Sequence, residues 1–345
     1  MARKLFWVSL ALTPLVLVLH YAFGVGGTAS FALSAAALAP LAFLIGEATE
    51  HVAEHTGSGI GGFLNASFGN APELIIALFA IGSGLPDVVR GSITGSVVST
   101  SLLVLGGAMV VGREGPIERR SLMLQIGMVL AAVLLFLVPA IPALHGNPER
   151  HSLYLLTLPV AGVLLAFYLV LTFRNLRRHA GAHTGEASEG AWSLKYSIAV
   201  LGAATVATAL VSELLVHSLA AFGDALGLSE FFVAVVIVAI VGNAAEHGGA
   251  IVTARRGHSN LAAEIAVSSA AQVAVFVAPT IALISFLVGR GLPLSFRPIE
   301  LAAMGGAGIA VALTVADGRW RRWEGYALIA LYGVAVTSFG FAGDR

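Results

Sequence analysis

Two short stretches carry groups that an apolar chain has little reason to hold. Gly69-Asn70-Ala71-Pro72-Glu73 and Gly242-Asn243-Ala244-Ala245-Glu246-His247 each set an amide and a carboxylate three residues apart inside long apolar runs. Taking an unpaired carboxylate out of water costs on the order of several kcal/mol, so an ionisable side chain at membrane depth marks a functional site by default. Residues three apart share a helical face, so Asn70 is expected to point with Glu73 and Asn243 with Glu246. Two carboxylates and two amide oxygens, helped by carbonyls, hydroxyls and water, approach the six to eight oxygens that calcium takes. With no sulfur and little imidazole, the set suits a hard cation over zinc or copper. Two nearby buried carboxylates cannot both stay ionised once the cation leaves. Protons are the natural replacement, and Ca2+ and H+ are therefore expected to compete for Glu73 and Glu246.

Other residues could assist. Pro72 has no N–H, which leaves the Phe68 carbonyl without its helical donor, and Gly61, Gly62 and Gly69 loosen the same segment. Gly242, Gly248 and Gly249 do similar work in the second copy without a proline. After each motif comes a run of small polar residues: Gly95-Ser96-Val97-Val98-Ser99-Thr100, then Ser268-Ser269-Ala270-Ala271-Gln272. Ser99, Thr100, Ser269 and Gln272 are auxiliary ligands, gating groups or polar glue between helices. His247 faces about 100° round the helix from Glu246; it either tunes protonation or hydrogen-bonds a neighbour. Glu47, Glu50 and Glu54 form an acidic cluster, and Glu213 stands on the corresponding helix of the second half. One motif points elsewhere. His51-Val52-Ala53-Glu54-His55 matches the inverted zinc-peptidase pattern, but nothing singles out a third ligand, and a peptidase has no need of the duplication. An intramembrane zinc peptidase is the remote alternative, and the chain is expected not to be an enzyme. A channel could also use two midplane acids.

The elements that position these groups follow from composition. Of 345 residues, 57% are hydrophobic and 11% charged, well below the quarter usual in soluble domains. The chain is expected to be an all-α polytopic membrane protein. Lys+Arg and Asp+Glu balance at 19 each, which argues against nucleic acid as a partner; the absence of cysteine excludes disulfides and thiolate sites. At about 20 apolar residues per crossing, helices are expected near 5–23, 31–54, 60–83, 86–111, 121–140, 152–173, 193–221, 230–254, 260–288, 299–316 and 324–342. That makes eleven spans. A lead helix and loop (1–30) precede a first half (31–173), a cytoplasmic linker (174–192) and a second half (193–345). With the N-terminus inside, fourteen Lys and Arg fall in inner loops and five outside, so the positive-inside rule places the N-terminus in the cytoplasm and the C-terminus outside. Low lysine and high alanine point to a prokaryotic plasma (inner) membrane. Five helices per half is an odd number, so the halves enter the bilayer with opposite orientation. Glu73 and Glu246 stand 173 residues apart, Thr100 and Gln272 172 apart. Motifs repeated at nearly one offset mark an internal duplication, and inverted repeats with polar groups at the midplane characterise secondary transporters.

At these residues the chain resembles the cation/proton exchanger (CAX) family of the calcium/cation antiporter superfamily. The likeness runs from about Leu33 to the last helix. It is carried by Gly-Glu-Ala-Thr-Glu at 46–50, Leu-Asn-Ala-Ser-Phe-Gly-Asn-Ala-Pro-Glu-Leu-Ile at 64–75, Leu-Ser-Glu-Phe-Phe at 228–232 and Ala-Ile-Val-Gly-Asn-Ala-Ala-Glu-His at 239–247. The resemblance implies ten core helices in two inverted five-helix repeats behind one lead helix. It implies calcium at the midplane on Glu73 and Glu246, with Asn70 and Asn243 nearby. It further implies alternating access by sliding of the first and sixth core helices, on which Glu50 and Glu213 lie. The implied activity is calcium/proton antiport, with Ca2+ and H+ as transported partners, no cofactor, the bilayer as surroundings and self-association left open. A sodium/calcium exchanger of the same superfamily, or one for another divalent cation, is the alternative; sodium-coupled relatives tend to carry Ser or Thr where Asn70 and Asn243 stand. Two departures matter. Thr100 replaces the family's Asn, and the segment 174–195 lacks the acidic character that the family links to calcium regulation.

Overall fold

The computed structural model describes residues 2–146, 151–179 and 192–343. Most of the expected linker, 180–191, lies outside the described residues. The chain is helical almost throughout. In order come α1 (Ala2–Ser9), α2 (Leu12–Phe23), α3 (Gly27–Phe68), α4 (Ala71–Gly82), α5 (Pro86–Val111), α6 (Arg119–Ala143), α7 (His151–His179), α8 (Leu194–Leu226), α9 (Glu230–Gly242), α10 (Ala244–Arg255), α11 (Ser259–Leu287), α12 (Pro298–Val315) and α13 (Arg322–Ala342). A two-residue antiparallel ribbon, β1 (Gly115–Pro116) with β2 (Arg319–Trp320), ties two loops together. It is the one departure from all-helical structure among the described residues.

Among the described residues, nine helices are long and apolar enough to cross a membrane, and ten if the bent pair α9 and α10 is one span. The expected turn near residues 55–59 interrupts no helical hydrogen bonding: α3 carries the helix on to Phe68. Glycine permits a turn but does not force a break as proline does, and residues 55–62 contain no proline. Leu64 and Phe68 pack against the cluster of Ile45, Ala48, Val52, Leu201 and Ala204. The expected helix 60–83 is thus split, with its second part the short apolar α4.

The chain divides into two compact units, each drawing on both halves of the sequence. The first takes residues up to Phe79, Ala166–Gly227 and Val241–Ala245. Its centre is α3 against α8. Phe31 stacks on Phe222 at 4.2 Å, His51 on Trp192 at 4.6 Å, and Ile45, Ala48 and Val52 meet Leu201 and Ala204 between them. Rising numbers on one helix match falling numbers on the other, so the opening helices of the two halves run antiparallel.

The second unit takes Ala80–Leu165, Leu228–Ile240 and Glu246–Arg345. Here α5 lies along α9 with almost no space between backbones. A β-carbon on Gly91 would come 3.0 Å from the Phe231 ring; one on Gly95 would overlap the Val235 carbonyl oxygen and sit 2.6 Å from Ala239 Cβ. These pairings rise together, so α5 and α9 run parallel. Gly106 and Gly325 permit a similar approach of α5 to α13, each standing where a β-carbon would press on the other's carbonyl. Buried ionic contacts pin the loops of this unit. Arg90, fully buried, donates to Asp87 Oδ1 at 2.8 Å and the Pro293 carbonyl at 3.1 Å, and Arg297 lies 3.5 Å over the Phe231 ring while bonding Glu300.

Candidate functional site

Both Asn-x-x-Glu motifs fall at helix breaks, and this corrects the expected shared helical face. The first break is the turn Gly69–Asn70, between the last residue of α3, Phe68, and the first of α4, Ala71. Leu74 N–H donates to the Asn70 carbonyl at 3.1 Å, which makes Asn70 the N-cap of α4. Pro72 occupies the first turn, where its missing N–H costs nothing, and Glu73 stands in the same turn. In the second break Asn243 alone separates α9 from α10, the two helices meet at 58°, and Glu246 lies in the first turn of α10. The repeated element is therefore an amide at the N-cap with a carboxylate three residues on.

That register has an electrostatic consequence. The first N–H groups of a helix and the last carbonyls of the one before it lack helical partners. The N-terminal end carries partial positive charge that favours a carboxylate, and the preceding end offers oxygens to a cation. Phe68, whose carbonyl was expected to be freed by Pro72, ends α3 at this place. Asn70 is 3% exposed and Asn243 fully buried; both are held by neighbouring groups, as are Glu73, Ser269 and Gln272.

The first unit brings the motifs of the two halves into contact. A β-carbon on Gly242 would lie 3.3 Å from Glu73 Cγ and 3.8 Å from its Oε1, so the carboxylate of the first motif rests on the glycine that opens the second. In the second unit, Glu246 Oε2 and His247 Nε2 are buried without hydrogen-bond partners among the described residues. Few groups leave such atoms unpaired without a functional reason.

The auxiliary residues separate into those placed near a special backbone and those that are not. Ser99 and Thr100 are fully buried and open a π-helical turn, Ser99–Val104, inside α5. Gln272 directly precedes another π turn, Val273–Val277, in α11. Such turns recur at functional sites because they widen the helix and re-aim side chains. The motifs gave no sign of them beyond the repeated small residues. Thr100 donates its hydroxyl to the Ser96 carbonyl of its own helix, and Ser99 does the same at 3.5 Å. Ser269 is buried at 4%.

Glu50 is exposed on α3 and Glu213 half-buried on α8. The antiparallel register of these helices, which sets residue 48 near residue 204, keeps the two glutamates some ten residues, or about 15 Å, apart along the bundle. His51 and His55 are engaged elsewhere: His51 Nδ1 meets Glu54 Oε2 at 3.2 Å, and His55 Nε2 meets the Trp192 carbonyl at 2.7 Å. No group of three or more His, Asp or Glu side chains able to hold a metal occurs among the described residues. A carboxylate that the motif reading passed over, Glu264, lies on α11 two turns before Gln272.

Residues 26–177 and 196–341 match the sodium/calcium exchanger protein family. The chain belongs to that family, part of the calcium/cation antiporter superfamily indicated by its motifs. Among curated proteins it is 36% identical over 322 residues to the Ca(2+)/H(+) antiporter ChaA of Bacillus subtilis, covering 90% of this chain and 91% of that protein. It is 33% identical to a Ca(2+)/H(+) antiporter of Synechocystis, covering 98% and 97%. The solved structure of native YfkE superposes with a TM-score of 0.83 at 33% identity, covering 97% of this chain and 99% of that one. These relatives are transporters, and the peptidase reading of His51–His55 falls.

Proposed function

We propose that this member of the sodium/calcium exchanger protein family is a calcium/proton antiporter. The observation that carries the reading is the contact of Glu73 with Gly242, the residue that directly precedes Asn243 of the second motif. A dication seated between two such carboxylates leaves the site neutral, and so do two protons. Either load suits a low-dielectric surround, whereas the bare dianion does not. Exchange follows because each load can leave only as the other arrives. Glu73 and Glu246 bind cation or proton, Asn70 and Asn243 contribute amide oxygens, and Phe68 contributes its carbonyl. His247, Ser99, Thr100, Ser269 and Gln272 line or gate the approach, while Glu50 and Glu213 act at the two vestibules.

The finer architecture of the proposal is eleven spans, a lead helix and two inverted five-helix repeats, with residues 31–173 and 193–345 as the repeats and 174–192 between them in the cytoplasm. The eleventh span is α4 together with the end of α3. Antiparallel α3 and α8, parallel α5 and α9, and the family match in two blocks all support inversion. The inner-loop arginines support an N-terminus inside and a C-terminus outside a prokaryotic inner membrane.

The test is calcium uptake into proteoliposomes under an imposed pH gradient without sodium. Uptake that collapses with the gradient is expected. Uptake driven by sodium at uniform pH would overturn proton coupling in favour of the sodium/calcium alternative.

A further inference from the structure

Glu264 is the one ionisable side chain of α11. Asn260, Glu264, Ser268 and Gln272 recur every four residues and therefore share one face. That face is the least buried side of the helix. Asn260 is exposed and the other three half-buried, while Ala262, Ala263, Ala266, Val267, Ala270 and Ala271 are buried. Glu264 sits about 12 Å along the axis from Gln272, between that residue and the loop before Ser259. Asn260, at that end, is held by the Glu118 N–H at 2.8 Å and lines an open pocket of about 400 Å³ with His258 and Arg113.

The partner of Glu264 is neutral. Gln125 of α6 donates from Nε2 to Glu264 Oε2 at 2.6 Å and to Ser121 Oγ at 3.4 Å. No Lys, Arg or His among the described residues forms an ion pair with this carboxylate. Gln125 Oε1 is buried and accepts no hydrogen bond among the described residues. A half-turn of the amide about χ3 exchanges these roles. The N–H faces a bare carboxylate, and the oxygen faces a cation held by that carboxylate.

We infer that Glu264 and Gln125 form a station for a hard divalent cation, separate from Glu73 and Glu246, on the α11 limb of the path. Carboxylate and amide oxygens, with the Ser121 and Ser268 hydroxyls and water, supply part of the oxygen shell such an ion takes. One carboxylate makes a weak site, with affinity of order 10⁻⁴–10⁻³ M, suited to passing an ion on. The first half has no counterpart: Ser92 stands at the position equivalent to Glu264, so the station serves one face only. Its assignment to the cytoplasmic face rests on the antiport reading and its topology.

Two measurements on the full-length protein test it. Mn2+ serves as a hard-cation probe by electron paramagnetic resonance, with Glu73→Gln and Glu246→Gln combined to empty the midplane. A residual weak Mn2+ signal is expected, lost on adding Glu264→Gln, weakened by Gln125→Leu and kept by Glu264→Asp. In proteoliposomes, Glu264→Gln should raise the half-saturating Ca2+ about tenfold at one membrane face and leave the other face unchanged. Residual Mn2+ that survives Glu264→Gln, or an equal shift at both faces, overturns the station. If Glu264→Gln does not fold, Gln125→Leu carries both measurements. Wild-type protein without calcium/proton exchange would instead overturn the antiport reading, while the Mn2+ result stands by itself.

Discussion

Spans α5 and α11 occupy equivalent places after the two motifs, and they differ in what they do with the same register. Ser92, Ser96 and Thr100 on α5 match Glu264, Ser268 and Gln272 on α11 at the 172-residue offset. Both spans carry a π turn at the end of that series. Most of the α5 span is buried, with the Ser92 and Thr100 hydroxyls turned onto carbonyls of their own helix. The α11 span is less buried, and its series holds a carboxylate and an amide as well. The two spans thus share the backbone device and the spacing while their chemistry differs. The α5 series carries only hydroxyls; the α11 series carries the Glu264 carboxylate, bonded to Gln125, and the Gln272 amide.

The largest expected effect tests how far the symmetry extends. Glu73→Gln and Glu246→Gln each remove half the charge that balances a dication, so each should lower calcium exchange by about a hundredfold or more in the proteoliposome assay. A variant that retains activity would show that the halves are unequal at the centre as well as along the limbs. Next comes packing. Gly95→Ala forces a β-carbon into the Val235 carbonyl and should cost at least ~1–3 kcal/mol, read as a lower melting temperature in detergent. Val267→Ala, at the equivalent place on α11, leaves only a small cavity and should cost about 1–2 kcal/mol. If the two are equal, the close approach of α5 to α9 has no special weight. The smallest effect is expected at Thr100→Asn, which restores an amide on the α5 limb and should shift half-saturating Ca2+ about threefold. A shift as large as that from Glu264→Gln would mean the α5 limb is no less a part of the path.

Much of the site was legible in the residues. Asn and Glu at fixed spacing, doubled within apolar runs, announce themselves because buried charge is costly and rarely accidental. Their local geometry is not legible in the spacing, for a physical reason. A three-residue spacing fits both a shared helical face and an N-cap with the third residue of the next helix, and only the position of the break decides between them. Pro72 hinted at the second; Asn243 has no proline beside it. Glu264 was overlooked because a single carboxylate near a helix end reads as solvated, and its meaning comes from Gln125, 139 residues away in the chain.

The amino-acid sequence alone determined that this is a helical membrane chain with an acidic amide-bearing motif in each half. Those properties follow from partition of apolar segments and from the cost of charge, which are set residue by residue. Tertiary structure decided that the motifs sit at helix breaks, that Glu73 rests on Gly242, and that Gly95 lets α5 meet the α9 backbone. These depend on which distant surfaces pack together, and close packing is a property of the assembled chain, with no trace in any one segment.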